Sequence, residues 1–140
     1  MCLIVNNFYH RVHEETVAPF CADNPIVVLK VLKKRKLFSR WTTPYLEMLI
    51  HFKRRKCILD KIPIDEFSKT KKYYSTSLMM KDEDSYHAFI DINRAVCHKE
   101  RLKNAAIFKA IIPVGSYYYI GDSGDICSDQ LIITKHKVRM

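Results

Sequence analysis

All three glycines of the chain fall in one apolar run, Ile107-Phe-Lys-Ala-Ile-Ile-Pro-Val-Gly-Ser-Tyr-Tyr-Tyr-Ile-Gly-Asp-Ser-Gly-Asp-Ile-Cys-Ser-Asp-Gln-Leu-Ile-Ile133. Glycine enters turns with positive φ at no steric cost, so the cluster of Gly115, Gly121 and Gly124 predicts one sharply folded element. We expect a C-terminal β-hairpin over residues 107–134. Its predicted parts are strands at 107–112, 116–120 and 131–134, a bend at 113–115 and a turn at 121–124.

Two further elements are indicated upstream of this run. The β-branched stretch Ile26-Val-Val-Leu-Lys-Val-Leu32 follows the turn signal Asp23-Asn-Pro25 and predicts an interior strand. Asp91 can cap a helix over about residues 92–105, with an apolar stripe that begins at Ile92. The expected fold class is therefore α+β: a mixed, mostly antiparallel sheet of five to seven strands with one main helix.

The composition bounds the architecture and the compartment. A chain of 140 residues with 48% hydrophobic residues fits a single compact domain, 1–140. The first apolar residues, Met1-Cys-Leu-Ile-Val5, are too few for a signal peptide, and no apolar run reaches the length of a membrane span. We expect a cytoplasmic protein that makes no membrane contact, whose five scattered cysteines are reduced thiols and which holds no metal.

The positive charge is concentrated in one segment, residues 30–56. The chain has a formal net charge of +9, and this segment alone has ten basic residues and one acid, Glu47, so the remaining residues sum to zero. Such an imbalance favours a surface that faces a polyanion. Nearby aromatic residues, among them Trp41, could stack on bases, or they could face the core beneath solvated lysines. The predicted binding residues are Lys33, Lys34, Arg35, Lys36, Arg40, Trp41, Lys53, Arg54, Arg55 and Lys56.

The order of elements resembles a small ADP-ribosyltransferase-like domain. The resemblance rests on the strand Val27–Leu32, the Ser-Thr-Ser of residues 75–77, the Tyr-His-Ala-Phe of residues 86–89 before a helix, and the late Ile-Pro-x-Gly. It implies a nicotinamide pocket with candidate residues Lys30, Ser75, Ser77 and Gln130.

That family ends its last hairpin in Glu-x-Glu, where this chain has Ser128 and Gln130. A neutral glutamine cannot stabilise an oxocarbenium-like transition state, so the resemblance implies a non-catalytic relative without a cofactor. The alternative is an enzyme that uses NAD, with Asp125 or Asp129 as an atypical acid.

The chain is also similar to a group of small proteins of gut bacteria and their phages, through its Met-Cys-Leu start and the stretch 112–119. That similarity implies no particular activity. The leading hypothesis is a non-catalytic binding protein of phage or prophage origin, whose basic segment engages nucleic acid, a nucleotide or an acidic protein surface. A structural or virion assembly protein is a further alternative.

Overall fold

The computed structural model describes residues 2–6, 11–13, 16–17, 19–35, 40–67, 77–81 and 85–139. In chain order the elements are β1 (Cys2–Asn6), β2 (Arg11–His13), β3 (Thr16–Val17), β4 (Phe20–Cys21), β5 (Ile26–Lys34), β6 (Trp41–Thr42), β7 (Leu49–Ile50), β8 (Lys56–Leu59), α1 (Ile64–Phe67), β9 (Ser77–Lys81), β10 (Tyr86–Phe89), α2 (Ile92–Glu100), β11 (Ala105–Ile112), β12 (Tyr117–Ile120), β13 (Asp125–Ser128) and β14 (Leu131–Val138).

Most of these strands form one sheet in the order β4-β12-β13-β10-β5-β11-β14-β8. β6 pairs with the same edge of β5 as β10 does, and β7 pairs with β6. β1 pairs with β9, and β2 pairs with β3. Every strand pair in the described part of the chain is antiparallel, so the expectation of a mixed sheet of five to seven strands is wrong. The fold is strand-rich with one main helix, and α+β describes it only in outline.

The centre of the sheet is the β5–β11 pair. Its register runs from Lys33 opposite Ala105 to Ile26 opposite Ile112, and the prediction of an interior strand at 26–32 is confirmed. Successive side chains point to opposite faces of a strand. Val28 and Leu32 therefore enter the main core, whereas Val31 enters a second cluster beneath the helix.

Helix α2 begins where the sequence predicts but ends earlier. The Asp91 carboxylate accepts a hydrogen bond from the N–H of Asn93 at 2.9 Å and caps the first turn. The last helical residue is Glu100 rather than residue 105. Asn104 has a φ of 55°, and the next residue, Ala105, begins β11. The helix stops because pairing with β5 satisfies the backbone of this segment better than another helical turn.

The run 107–134 is two antiparallel pairs rather than one hairpin. β11 pairs with β14, and β12 pairs with β13 on the far side of β10 and β5. The turn at 121–124 therefore joins β12 to β13, a strand that the glycine pattern does not indicate. Among the described residues, no helix has the length and apolarity needed to cross a membrane.

Candidate functional site

Antiparallel pairing brings the basic segments to one end of the sheet. β5 ends at Lys34, β14 ends at Val138 opposite Ile107, and β8 begins at Lys56 opposite Thr134. We call this the basic end. Its exposed cations include Lys34, Arg35, Arg40, Lys53, Arg54, Arg55, Lys56, Lys135, Lys137 and Arg139. At about 4.8 Å between neighbouring strands, the five strands β6, β5, β11, β14 and β8 spread these charges over about 19 Å.

A tight turn at residues 53–56 projects four consecutive cations. The backbones of Lys53 and Lys56 form an isolated antiparallel β-bridge. The N–H of Lys53 donates to the carbonyl of Lys56 at 2.8 Å, and the N–H of Lys56 donates to the carbonyl of Lys53 at 3.2 Å. Arg54 and Arg55 have φ values of 54° and 67°, the left-handed region that such two-residue turns require and that Asn-Gly normally supplies. Arginine there costs backbone strain, which persists when the surroundings enforce it and is concentrated at functional positions.

A bulge in β14 adds cations from outside the segment 30–56. Phe108 pairs with Lys137 but Ala110 pairs with Ile133, so extra residues stand on β14 between the two pairs. The N–H of Lys135 donates to the carbonyl of Arg55 at 2.9 Å, which ties the bulge to the turn. In the sequence, these cations belong to the late run of residues 135–139. The comparison of net charges does not single out this run, because the charges outside residues 30–56 sum to zero.

Trp41 is packed in a way that differs from a base-stacking platform. Its half-buried ring meets Phe108 edge-on, with centroids 4.9 Å apart. The Nζ atoms of Lys34 and Lys137 lie 5.7 and 4.9 Å from its centroid. Cations over a tryptophan face are attracted by its quadrupole. The ring therefore positions two ammonium groups, and nearby Phe52 also packs on Phe108.

The other predicted binding residues have different surroundings. Lys33 is half-buried and pairs with Thr42 of β6. Lys36 lies outside the described residues. The structure thus gathers eight of the ten predicted residues, Lys34, Arg35, Arg40, Trp41 and the four of the turn, at one end of the sheet.

The residues suggested by the transferase resemblance lie apart. Lys30 is buried and lines a cavity beside β5. Gln130 precedes β14, near Ser116, whose hydroxyl donates to its Oε1 at 3.5 Å, and it does not line that cavity. Ser77 begins β9 opposite Asn6, and Ser75 lies outside the described residues.

The two candidate acids hold turns of the backbone. Asp125 Oδ1 accepts from the N–H of Ser123 at 3.4 Å. Asp129 is fully buried, and its Oδ1 accepts from the N–H of Tyr117 at 3.0 Å. Its Oδ2 has no hydrogen-bond partner among the described residues. Burial raises the pKa of the Asp129 carboxyl, while the Tyr117 N–H and the Lys61 ammonium lower it by less.

The raised pKa predicts how stability depends on pH. Because the folded state holds the Asp129 proton more tightly than the unfolded state, wild-type stability falls as pH rises from the unfolded pKa through the folded pKa. Asp129→Asn keeps an acceptor for Tyr117 and removes the ionisation. We expect its free energy of unfolding relative to wild type to increase with pH over that window, measured by urea denaturation. A difference that stays constant with pH would contradict this assignment.

Within the described part of the chain, no three histidine, cysteine or acidic side chains are grouped closely enough to hold a metal ion. Cys21, Cys57, Cys97 and Cys127 are free thiols. The chain matches no protein-family model, no curated protein and no solved structure. Inference about function therefore rests on the geometry of the described residues.

Proposed function

We propose that the protein binds nucleic acid without catalysis, through phosphate contacts at the basic end. The observation that supports the proposal is the convergence of ten exposed lysines and arginines from four different parts of the chain on one end of the sheet. Phosphates bound by such side chains release condensed counterions, and this release supplies sequence-independent affinity.

The packing of the aromatic residues favours phosphate contacts over base contacts. Trp41 and Phe52 pack on Phe108 and Trp41 holds lysines, so neither is offered as a bare face to a base. Phosphate contacts fix position but carry no sequence information. The protein should therefore bind oligonucleotides of different sequence with similar affinity. A small binding protein of this kind also fits the proposed phage or prophage origin.

Fluorescence anisotropy with labelled oligonucleotides tests the proposal. Lys135→Gln with Lys137→Gln removes two cations of the basic end that lie outside the segment 30–56. Lys61→Gln with Arg94→Gln removes two exposed cations away from that end, one beyond the far end of β8 and one in the first turn of α2, and serves as the matched control. We expect the first pair to lower the salt slope, d log K/d log[salt], by about 1–2 in magnitude, and the control pair to leave it unchanged.

Competition separates nucleic acid from an acidic protein surface. An excess of poly-glutamate matched in charge should displace the oligonucleotide only weakly, because its lower charge density along the chain condenses, and so releases, fewer counterions than nucleic acid does. Equal displacement by poly-glutamate would contradict nucleic acid as the partner and favour an acidic protein surface. Equal effects of the two variant pairs would contradict the basic end as the site.

A further inference from the structure

A row of four β-branched side chains crosses one face of the sheet. The strand register places Ile111 opposite Val27 of β5 and also opposite Ile132 of β14. Ile132 in turn lies opposite Ile58 of β8. The row therefore runs straight across four adjacent strands, and at about 4.8 Å between strands it is about 14 Å long. We call these four residues the aliphatic row.

The aliphatic row points away from the main core. The residues before and after each of its members lie in that core or pack against it, namely Ile26, Val28, Cys57, Leu59, Ala110, Ile112, Leu131 and Ile133. Because successive side chains alternate between faces, the row lies on the opposite face. Val27 is 58% exposed, Ile58 is 61% exposed, and Ile111 and Ile132 are half-buried. Adjacent exposed apolar side chains, unlike scattered ones, are typical of an interaction surface.

Helix α2 covers only part of this face. Val31 and Ile107 are buried beneath the helix, and Leu29 packs against the same cluster. Among the described residues, that cluster stops short of the aliphatic row, although Leu29 is only two residues from Val27. The apolar face of a sheet is normally buried under a second layer of structure. The row is thus a part of the face on which a further helix could lie beside α2.

Two exposed lysines flank the row on the same side. Lys109 precedes Ile111 by two residues, and Lys56 precedes Ile58 by two residues. β11 and β8 run in the same direction, because each is antiparallel to β14. The exposed Asp60 follows Ile58 by two residues and so lies on the other side of the row. The row therefore has a cationic side that can orient a charged partner.

We propose that the aliphatic row binds an amphipathic α-helix of a partner protein that carries acidic residues along one flank. One helical turn rises about 5.4 Å, close to the spacing between strands, so one apolar side chain per turn meets one strand of the row. β11 and β8 are two strand spacings apart, about 10 Å, which matches acidic residues two turns apart on the helix. These acids would face Lys109 and Lys56.

The size of the row favours a single helix over a second copy of this chain. Its footprint is about 14 Å by the roughly 7 Å of a two-residue strand repeat, or about 100 Å². Each partner in a standard protein–protein interface buries about 800 Å². A second copy would also bring another Lys56 and Lys109 to the same face. The proposal does not depend on nucleic-acid binding, although Lys56 belongs to the basic end as well.

A lactam-stapled helical peptide of about 18 residues tests the proposal. It carries one leucine per turn on one face and glutamates along one flank, and a second peptide with glutamine in place of glutamate is the neutral control. At low salt, protein-observed NMR of the full chain should show the glutamate peptide shifting resonances of the row and binding at least about fivefold more tightly than the control. Lys56→Gln with Lys109→Gln should bind both peptides alike. Equal binding of the two peptides by the wild type, or no binding at about 1 mM, would overturn the proposal.

A second variant pair tests the apolar contact without changing charge. Ile58→Asn alters an exposed position of the row, and Leu46→Asn, at a 53% exposed position between β6 and β7, is the matched control. We expect Ile58→Asn to bind the glutamate peptide about tenfold more weakly and to bind oligonucleotides like the wild type, with Leu46→Asn unchanged in both. Equal weakening by the two variants would overturn the proposal. A wild-type dimer in light scattering, or cosedimentation with phosphatidylserine vesicles, that Ile58→Asn abolishes would overturn it in favour of a second copy or a membrane surface.

Discussion

Replacing Gly124 with alanine is expected to lower the free energy of unfolding by about 2–4 kcal/mol. Gly124 has a φ of +77°, and an added Cβ would lie 2.9 Å from Cβ of Asp91. Neither atom can rotate away, because both are fixed to the backbone. The Gly124 carbonyl also accepts hydrogen bonds from the N–H groups of Ile90 and Asp91 at 2.8 and 3.3 Å. Moving this turn therefore disturbs the cap of helix α2.

Gly115 provides the matched control for this substitution. Its φ is +84°, but an added Cβ would meet no atom within 4 Å. Gly115→Ala therefore measures the cost of a left-handed alanine alone, about 1 kcal/mol. Urea denaturation of both variants isolates the contact with Asp91 as the difference between them. Equal losses of stability would contradict the close packing of the 121–124 turn on the helix cap.

The double substitution Arg54→Asn with Arg55→Gly is expected to stabilise the fold while weakening nucleic-acid binding. Both positions have positive φ, so residues suited to this turn should raise the free energy of unfolding by about 1–2 kcal/mol. The same change removes two cations from the tip of the basic end. We expect stability to rise while affinity falls, because the two positions with backbone strain also carry the cations that would contact phosphate.

The flanking pair, Lys53→Gln with Lys56→Gln, separates charge from strain. It removes the same number of charges from the same turn, but at positions without positive φ. We expect a similar loss of affinity in anisotropy titrations and no gain in thermal or urea stability. Stabilisation of both variants to the same extent would indicate relief of charge repulsion instead of backbone strain.

Local signals in the sequence predicted local structure well. The apolar run at 26–32 and the cap at Asp91 lie in a strand and at a helix start, as expected. The partner of β11 was not predictable from the glycine pattern, because turn residues specify the reversal that contains them and not a pairing across the sheet. The sequence does not predict strand β13, Asp125–Ser128, because only one of its four residues has a high strand propensity.

The candidate sites were predictable to different degrees. The charge imbalance predicted the cations at residues 53–56 but not the turn that projects them. The contribution of β14 depends on a bulge and on strand order. The aliphatic row combines residues from four strands whose order the sequence does not indicate, and in the sequence Lys30 gives no sign that it is buried. The transferase-like resemblance stays a prediction, with Lys30 and Gln130 at different places in the sheet.

The salt dependence of oligonucleotide binding tests nucleic-acid binding at the basic end most directly. With about five phosphates engaged, the wild type should show a slope of about −4.5 for duplex DNA between about 50 and 200 mM salt. Arg54→Asn with Arg55→Gly should reduce its magnitude by about 2, and Lys61→Gln with Arg94→Gln should leave it unchanged. A wild-type slope near zero, or the same slope in all three proteins, would contradict binding at this end of the sheet.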